Sequence, residues 1–439
     1  MTNFLKFNCD GWLNYPSDGD DDGMAITRLR VSVGEALITR NLSKRAAGES
    51  EAINVSILPL AEFLANSWWP LLYEPLKPSI TKGFRIRHRL DSGMRGYSFP
   101  ALALCSGGEK SIVVDWTTTE NVHSPISFLT PAPAEPIQLD REQAEIVLLD
   151  LVESALERLS TSNLRRQNLK DAWDRIKTTM AEPDELNYCM VAGRLGLDPY
   201  DPDSPDLTEL AAGIPDQLFD DLSDAVELEE LDPATKWLRN IETRLALFPE
   251  IGFKYFGDPV VDDLNYPAWT AGEGSAIALL THSGFRGDHP KVAVEELFGG
   301  AVHLAGKAAE VGPKSLNAVV RRSEDSARIA TIAKSARQRR FRGCAAAYLA
   351  WTSQAGEDRA STEALTRRQQ ASRAFAAEML APKDALLAKA DRYGFDDDDL
   401  EEIASEFVCP YTTVMWQAHR AGIPLRGVDL PFLERVRII

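Results

Sequence analysis

The sequence predicts an α+β protein, β-rich at its N-terminal end and helical in the rest. Apolar and polar residues alternate with period two in Ile26–Val33, and Ile53–Ile57 reads as a second strand. From Leu139 to about Phe248 the spacing changes to 3.6, the period of amphipathic helices. Three further helical stretches follow after Arg339. Between the first two regimes lies Pro131-Ala132-Pro133-Ala134-Glu135-Pro136, a stiff linker. The expected domains are 1–135, β-rich; 136–262, helical; and 263–439, mainly helical and ending in a helix–turn–helix-like pair.

The chain has 439 residues, long for one core, so two or three domains are expected. Its 44% hydrophobic and 26% charged residues are ordinary for a globular protein. A formal net charge of −18 argues against a surface that attracts phosphate backbones as a whole, so nucleic-acid contact would need a local basic patch. Cys9, Cys105, Cys189, Cys344 and Cys409 are odd in number and include no Cys-x-x-Cys pair. That pattern fits reduced thiols, hence a cytoplasmic protein, and not a disulfide frame or a zinc ribbon. Met1–Asp10 lacks the apolar run of a secretory leader, and no stretch of about 18 apolar residues predicts a membrane span.

In the first domain, Asp18–Gly23 alternates Asp and Gly as calcium loops do, but Glu35 lies too far on for the twelfth position and a strand intervenes, so a solvated loop is expected. Leu60, Phe63, Leu64 and Trp68 mark an amphipathic helix, with Pro59 in its first turn and Pro70 expected to stop it. Trp68 and Trp69 cannot share one helix face; both are expected in the core, with one as a partner-protein anchor in the alternative. Phe84–Leu90 reads as a strand in which Arg85, Arg87 and Arg89 share a face, either a partner-binding strip for an anion or nucleic acid or a solvated face balancing nearby acids. Ser98–Leu104 and Ser111–Trp116 read as a hairpin.

In the second domain, Ile146, Leu149, Val152, Leu156 and Leu159 form one stripe, with Asp140 as N-cap. Trp173 and Ile176 mark a second helix, and Glu185–Leu195 a third, ended by Gly196. Leu197–Asp206 has too many prolines for helix. Pro215–Leu231 carries seven acids, which read as a solvated helix face before a basic-partner surface.

In the third, Gly272-x-Gly274 lacks a preceding strand and a third glycine, so it is no dinucleotide fingerprint. Lys291–Val311 is expected to be helical, with Glu296 and His303 on one face. A displaced metal site, with His289 and His303 as ligands and Glu296 beside them, is the enzyme alternative. Arg321, Arg322, Arg328, Lys334, Arg337, Arg339, Arg340 and Arg342 form the basic segment, expected to be balanced internally. Leu400, Ile403, Ala404 and Phe407, then Val414, Met415 and Ala418, line a helical pair turning at Val408-Cys409-Pro410. Thr412, Thr413, Gln417 and Arg420 would be its base-reading residues, but Asp396–Asp399, Glu401 and Glu402 surround it with negative charge, so packing is the expected role.

Arg339–Leu349, then Thr366–Pro382 ending Phe375-Ala376-Ala377-Glu378-Met379-Leu380-Ala381-Pro382, then the terminal pair, resembles the C-terminal half of the ImmA/IrrE family of bacterial metallopeptidase-like proteins. In that family an Arg-Phe-led helix carries His-Glu-x-x-His, and the second helix ends Phe-Ala-Ala-Glu-(Leu/Met)-Leu-x-Pro. Here the zinc positions are Ala345, Ala346 and Leu349, and the region of the third ligand reads Arg367-Arg368-Gln369-Gln370-Ala371, without a carboxylate. No His in the chain precedes a Glu or stands at i,i+4 to another, as a zinc hydrolase helix requires. Trp68–Pro75 and Leu195–Tyr200 extend the resemblance to a longer subgroup. The resemblance implies a scaffold without catalytic residues, metal or other cofactor. It implies a role in stress, phage-defence or toxin–antitoxin control, exerted by binding another protein. Nucleic acid is the less favoured partner.

Overall fold

The computed structural model describes residues 3–13, 21–45, 48–77, 80–94, 96–118, 124–159, 164–248, 250–285, 290–298 and 312–428. The fold is α+β. By contacts the chain divides into two units, Met1–Leu207 and Thr208–Leu433, each holding one hydrophobic core.

The first unit contains β1 (Leu5–Trp12), β2 (Ile26–Val33), β3 (Ala36–Leu37), β4 (Asn41–Ser43), β5 (Glu49–Ser50) and β6 (Ile53–Ser56), then α1 (Leu58–Tyr73) and α2 (Lys82–His88). After these come β7 (Ala101–Gly108), β8 (Ser111–Thr117), β9 (Ile126–Phe128) and β10 (Ile137–Asp140), and then α3 (Arg141–Arg158), α4 (Leu164–Ala181) and α5 (Pro183–Arg194). β2 pairs with β1, β3 and β6; β8 lies between β7 and β10; β4 lies between β5 and β9. The alternation in β2 works as expected: Leu29, Val31 and Val33 are buried while Arg28 is exposed. The hairpin β7–β8 forms, and Asp140 caps α3 by accepting from Gln143 N.

Three expectations are corrected here. The helix α1 runs through Pro70, whose carbonyl accepts from Glu74 N at 2.9 Å, because burial of twelve of its sixteen residues outweighs the lost backbone bond. Phe84–His88, most of the expected strand, is helix, and only Arg89 after it is extended, bridging Ala103: Thr81 accepts from Phe84 N as N-cap, and Phe84 and His88, one turn apart, stack at 4.0 Å in the interior. The linker Pro131–Pro136 lies inside the first unit instead of bounding it, since β10, just after it, pairs along β8.

The second unit contains α6 (Asp216–Ser223), α7 (Leu228–Arg244), β11 (Glu250–Gly252), α8 (Ala268–His282), α9 (Pro290–Phe298), β12 (Leu316–Arg322), β13 (Ser326–Thr331), α10 (Ala336–Trp351), β14 (Asp358–Thr362), α11 (Arg367–Leu380), α12 (Lys383–Lys389), α13 (Asp397–Phe407) and α14 (Tyr411–Arg420). The sheet order β11-β13-β12-β14 is antiparallel throughout, and sequence reading missed it. The basic segment is balanced internally in part: Arg321 meets Asp358 and Glu242, Arg328 meets Glu250, and Arg337 meets Glu401, while buried Arg340 donates to the carbonyls of Pro290 and Lys291. Pro215–Leu231 breaks into two helices, and Asp221 turns inward to Arg359 at 3.1 Å and Ala360 N at 2.9 Å.

Candidate functional site

The residues that the resemblance places at the centre lie on α10 and α11. Ser335 accepts from Gln338 N and starts α10, which is buried without a break from Gly343 to Trp351. Ala345 is 2% exposed, and Ala346 and Leu349 are fully buried. The facing helix contributes Phe375, Met379 and Leu380, all fully buried, and the Phe375 ring lies 5.1 Å from Tyr348 and 6.0 Å from Trp351. On its other side α11 meets α8 so closely that a Cβ on Gly272 would stand 1.9 Å from Ala371 O. The surroundings of Ala345, Ala346 and Leu349 are therefore packed hydrocarbon, while Arg367, at the start of α11, pairs with Asp262 at 2.9 Å. Among the described residues no group of three His, Cys, Asp or Glu side chains could hold a metal. Of the alternative site, Glu296 is exposed on α9, while His289 and His303 lie outside the described residues; of the Asp18–Gly23 stretch, Asp18–Asp20 lie outside them and Asp21–Gly23 open a short helix, Asp21–Met24.

The terminal pair forms as expected, with Val408 left-handed at φ 55° and Cys409 N donating to Ala404 O at the turn. Its chemistry differs from base reading. Gln417 is 2% exposed and donates to Glu378 Oε2 at 2.7 Å and to Ala381 O at 3.2 Å; Thr413 is also buried. Only Thr412 and Arg420 of the four named residues face solvent, and Arg420 stacks on Trp269 at 5.2 Å. Glu378, which sequence reading treated only as part of a family motif, is thus the polar link between α11 and α14. Burial pushes its carboxyl up to about 7, with Glu273 adding to the shift and the bonds from Gln417 and Lys383 N opposing it.

In the first unit the predicted partner-binding residues do not form a surface. Trp68 is 1% exposed and Trp69 2%. Trp68 meets the edge of Trp173 at 5.1 Å, and Trp69 Nε1 donates to Tyr200 Oη at 3.1 Å. Both fit inside because α1 is enclosed on more than one face, with Gly193 of α5 admitting the backbone of Trp69: a Cβ there would stand 2.6 Å from Trp69 O. Arg85, Arg87 and Arg89 diverge around a helix end. Arg85 is exposed, Arg87 makes a two-pronged pair with Glu74 at 2.8 and 2.6 Å, and Arg89 holds Asp91 at 3.0 and 2.6 Å. His88 Nδ1 lies 2.6 Å from Leu104 O and Nε2 2.9 Å from Glu74 Oε2. Burial alone would raise the Glu74 carboxyl, but the bonds from His88 and Arg87 outweigh it and hold the group below its usual range. Glu74 and His88 are buried within this charge network, while Arg87 reaches partly to the surface.

Open space lies elsewhere in the first unit, in a cleft of about 650 Å³ floored by β2 and β6 and another of about 690 Å³ beside the Glu62–Arg165 ion pair. No helix of the described residues is long and apolar enough to cross a membrane. Comparison with known proteins finds no matching family model, no matching curated protein and no matching solved structure.

Proposed function

We propose that this chain is a non-catalytic protein on a scaffold similar to that of the ImmA/IrrE family, and that it acts in the cytoplasm by binding another macromolecule, most simply a protein. One observation carries the reading. Ala345, Ala346 and Leu349, which replace His-Glu-x-x-His, are built into a hydrocarbon core with Tyr348, Phe375 and Met379. A helix that served zinc would aim imidazoles and a carboxylate into a water-filled cleft. This one has become the central support of the second unit. The proposed setting, control of a stress, phage-defence or toxin–antitoxin response, rests on the resemblance alone.

The enzyme alternative, with His289, His303 and Glu296, is separated by elemental analysis. The dialysed protein should retain less than about 0.1 equivalent of zinc per chain. One tightly held equivalent, together with chelator-sensitive peptide hydrolysis, would contradict the proposal.

A further inference from the structure

We infer that the cleft over β2 and β6 is a binding site for a small oxyanion ligand, a phosphate or carboxylate compound, with Arg28 as its anchor. This goes beyond the macromolecule-binding reading and does not depend on it.

The strand register builds the site. Arg28 on β2 stands directly opposite Asn54 on β6, so the two side chains share the outer face of the sheet while Leu29 and Ile53, also paired, point into the core. Above that floor the cleft is walled by residues of a second sheet and its neighbouring loop, among them Ser50, Tyr97, Ser98 and Ile126. Its volume of about 650 Å³ falls in the range of small-molecule sites.

The charge pattern says what would bind. The chain carries 66 acidic residues against 48 Lys and Arg, so an arginine readily finds an acid. Its neighbours do: Arg30 holds Asp10 at 2.6 Å, and Arg40 holds Glu49 at 2.7 Å. Arg28 has no ion pair or hydrogen bond among the described residues, although it lines the cleft. A guanidinium offers a planar fork of donors that matches the two oxygens of a phosphate or carboxylate. The Asn54 amide beside it supplies both a donor and an acceptor, and the Tyr97 ring and Ile126 give the remainder of a ligand an apolar surface.

The test is calorimetric titration of the full chain at constant ionic strength with inorganic phosphate, adenosine monophosphate and malonate. It is repeated on Arg28→Gln and on Lys110→Gln, an exposed site of equal charge change on the β7–β8 turn. At least one ligand should bind the wild type and Lys110→Gln alike and bind Arg28→Gln about tenfold more weakly or worse, the loss expected for one charge-assisted contact. Phosphate or nucleotide binding alone would assign a phosphorylated ligand, and malonate binding alone an organic acid; either supports the site. No binding by any of the three, or equal binding by Arg28→Gln, would overturn it. Arg28→Gln breaks no ion pair or side-chain hydrogen bond among the described residues and should melt with the wild type, so a loss of binding will not reflect misfolding.

Discussion

Glu378 carries an acid in a position that the helix cannot expose. It is 4% exposed, bonded to Gln417, and its carboxyl is raised from 4.5 to about 7. A carboxyl raised in the folded state favours folding while protonated, so this contribution is complete below about pH 4.5 and is lost as pH rises through about 7. Glu378→Gln, which keeps the shape without the charge, should remove that part of the pH dependence. Thermal melts across this window should show the variant gaining on the wild type as pH rises; parallel curves would contradict the assignment. Phe375 makes a plainer case. It is fully buried between Tyr348 and Trp351, and Phe375→Ala should cost about 3–5 kcal/mol in denaturant unfolding, the range for a truncated core aromatic.

Among elements, the closest approach named is α8 against α11 at Gly272. Any Cβ there meets the Ala371 carbonyl, and backbone cannot step aside as a flexible side chain would. Gly272→Ala should therefore destabilise by about 1–3 kcal/mol, read by chemical denaturation, where a helix that only needed propensity would gain stability. The pair Gly272 and Gly274, unreadable as a nucleotide motif in sequence, is partly explained by this contact. Other elements were legible for local reasons. Asp140 is an N-cap, β2 alternates cleanly, and Gly196 takes a positive φ of 71° just after α5. The sheet of the second unit was hidden because its strands look charged. Arg321 stands opposite Arg328 across β12 and β13, a pairing unfavourable on its own, and Asp358 on β14 and Glu250 on β11 complete it. Those partners are distant in sequence, so no local pattern could disclose them. Phe84–Leu90 misled in the opposite direction: cations at every second position suggested a strand, while the Thr81 cap and the Phe84–His88 pair had already set a helix.

At the scale of the whole molecule, net charge and packing both argue against groove reading of duplex DNA by the terminal pair. The chain carries −18, and the helix that would enter a groove spends Gln417 and Thr413 inside the fold. Binding to duplex at physiological salt should be weak and indifferent to sequence in a mobility-shift assay, because little counterion release is available. Tight, sequence-dependent binding would favour the regulator reading. The packing of α10 is tested most directly at Ala346, which is fully buried in the core of the second unit. Ala346→Glu places a carboxylate at a fully buried position packed among apolar side chains. If α10 is core, equilibrium unfolding of this variant should show a loss of roughly 3 kcal/mol or more, the cost of an uncompensated buried charge, and no uptake of zinc. An unchanged unfolding free energy with stoichiometric zinc would mean that Ala345, Ala346 and Leu349 line a polar cleft, and would contradict the packing described.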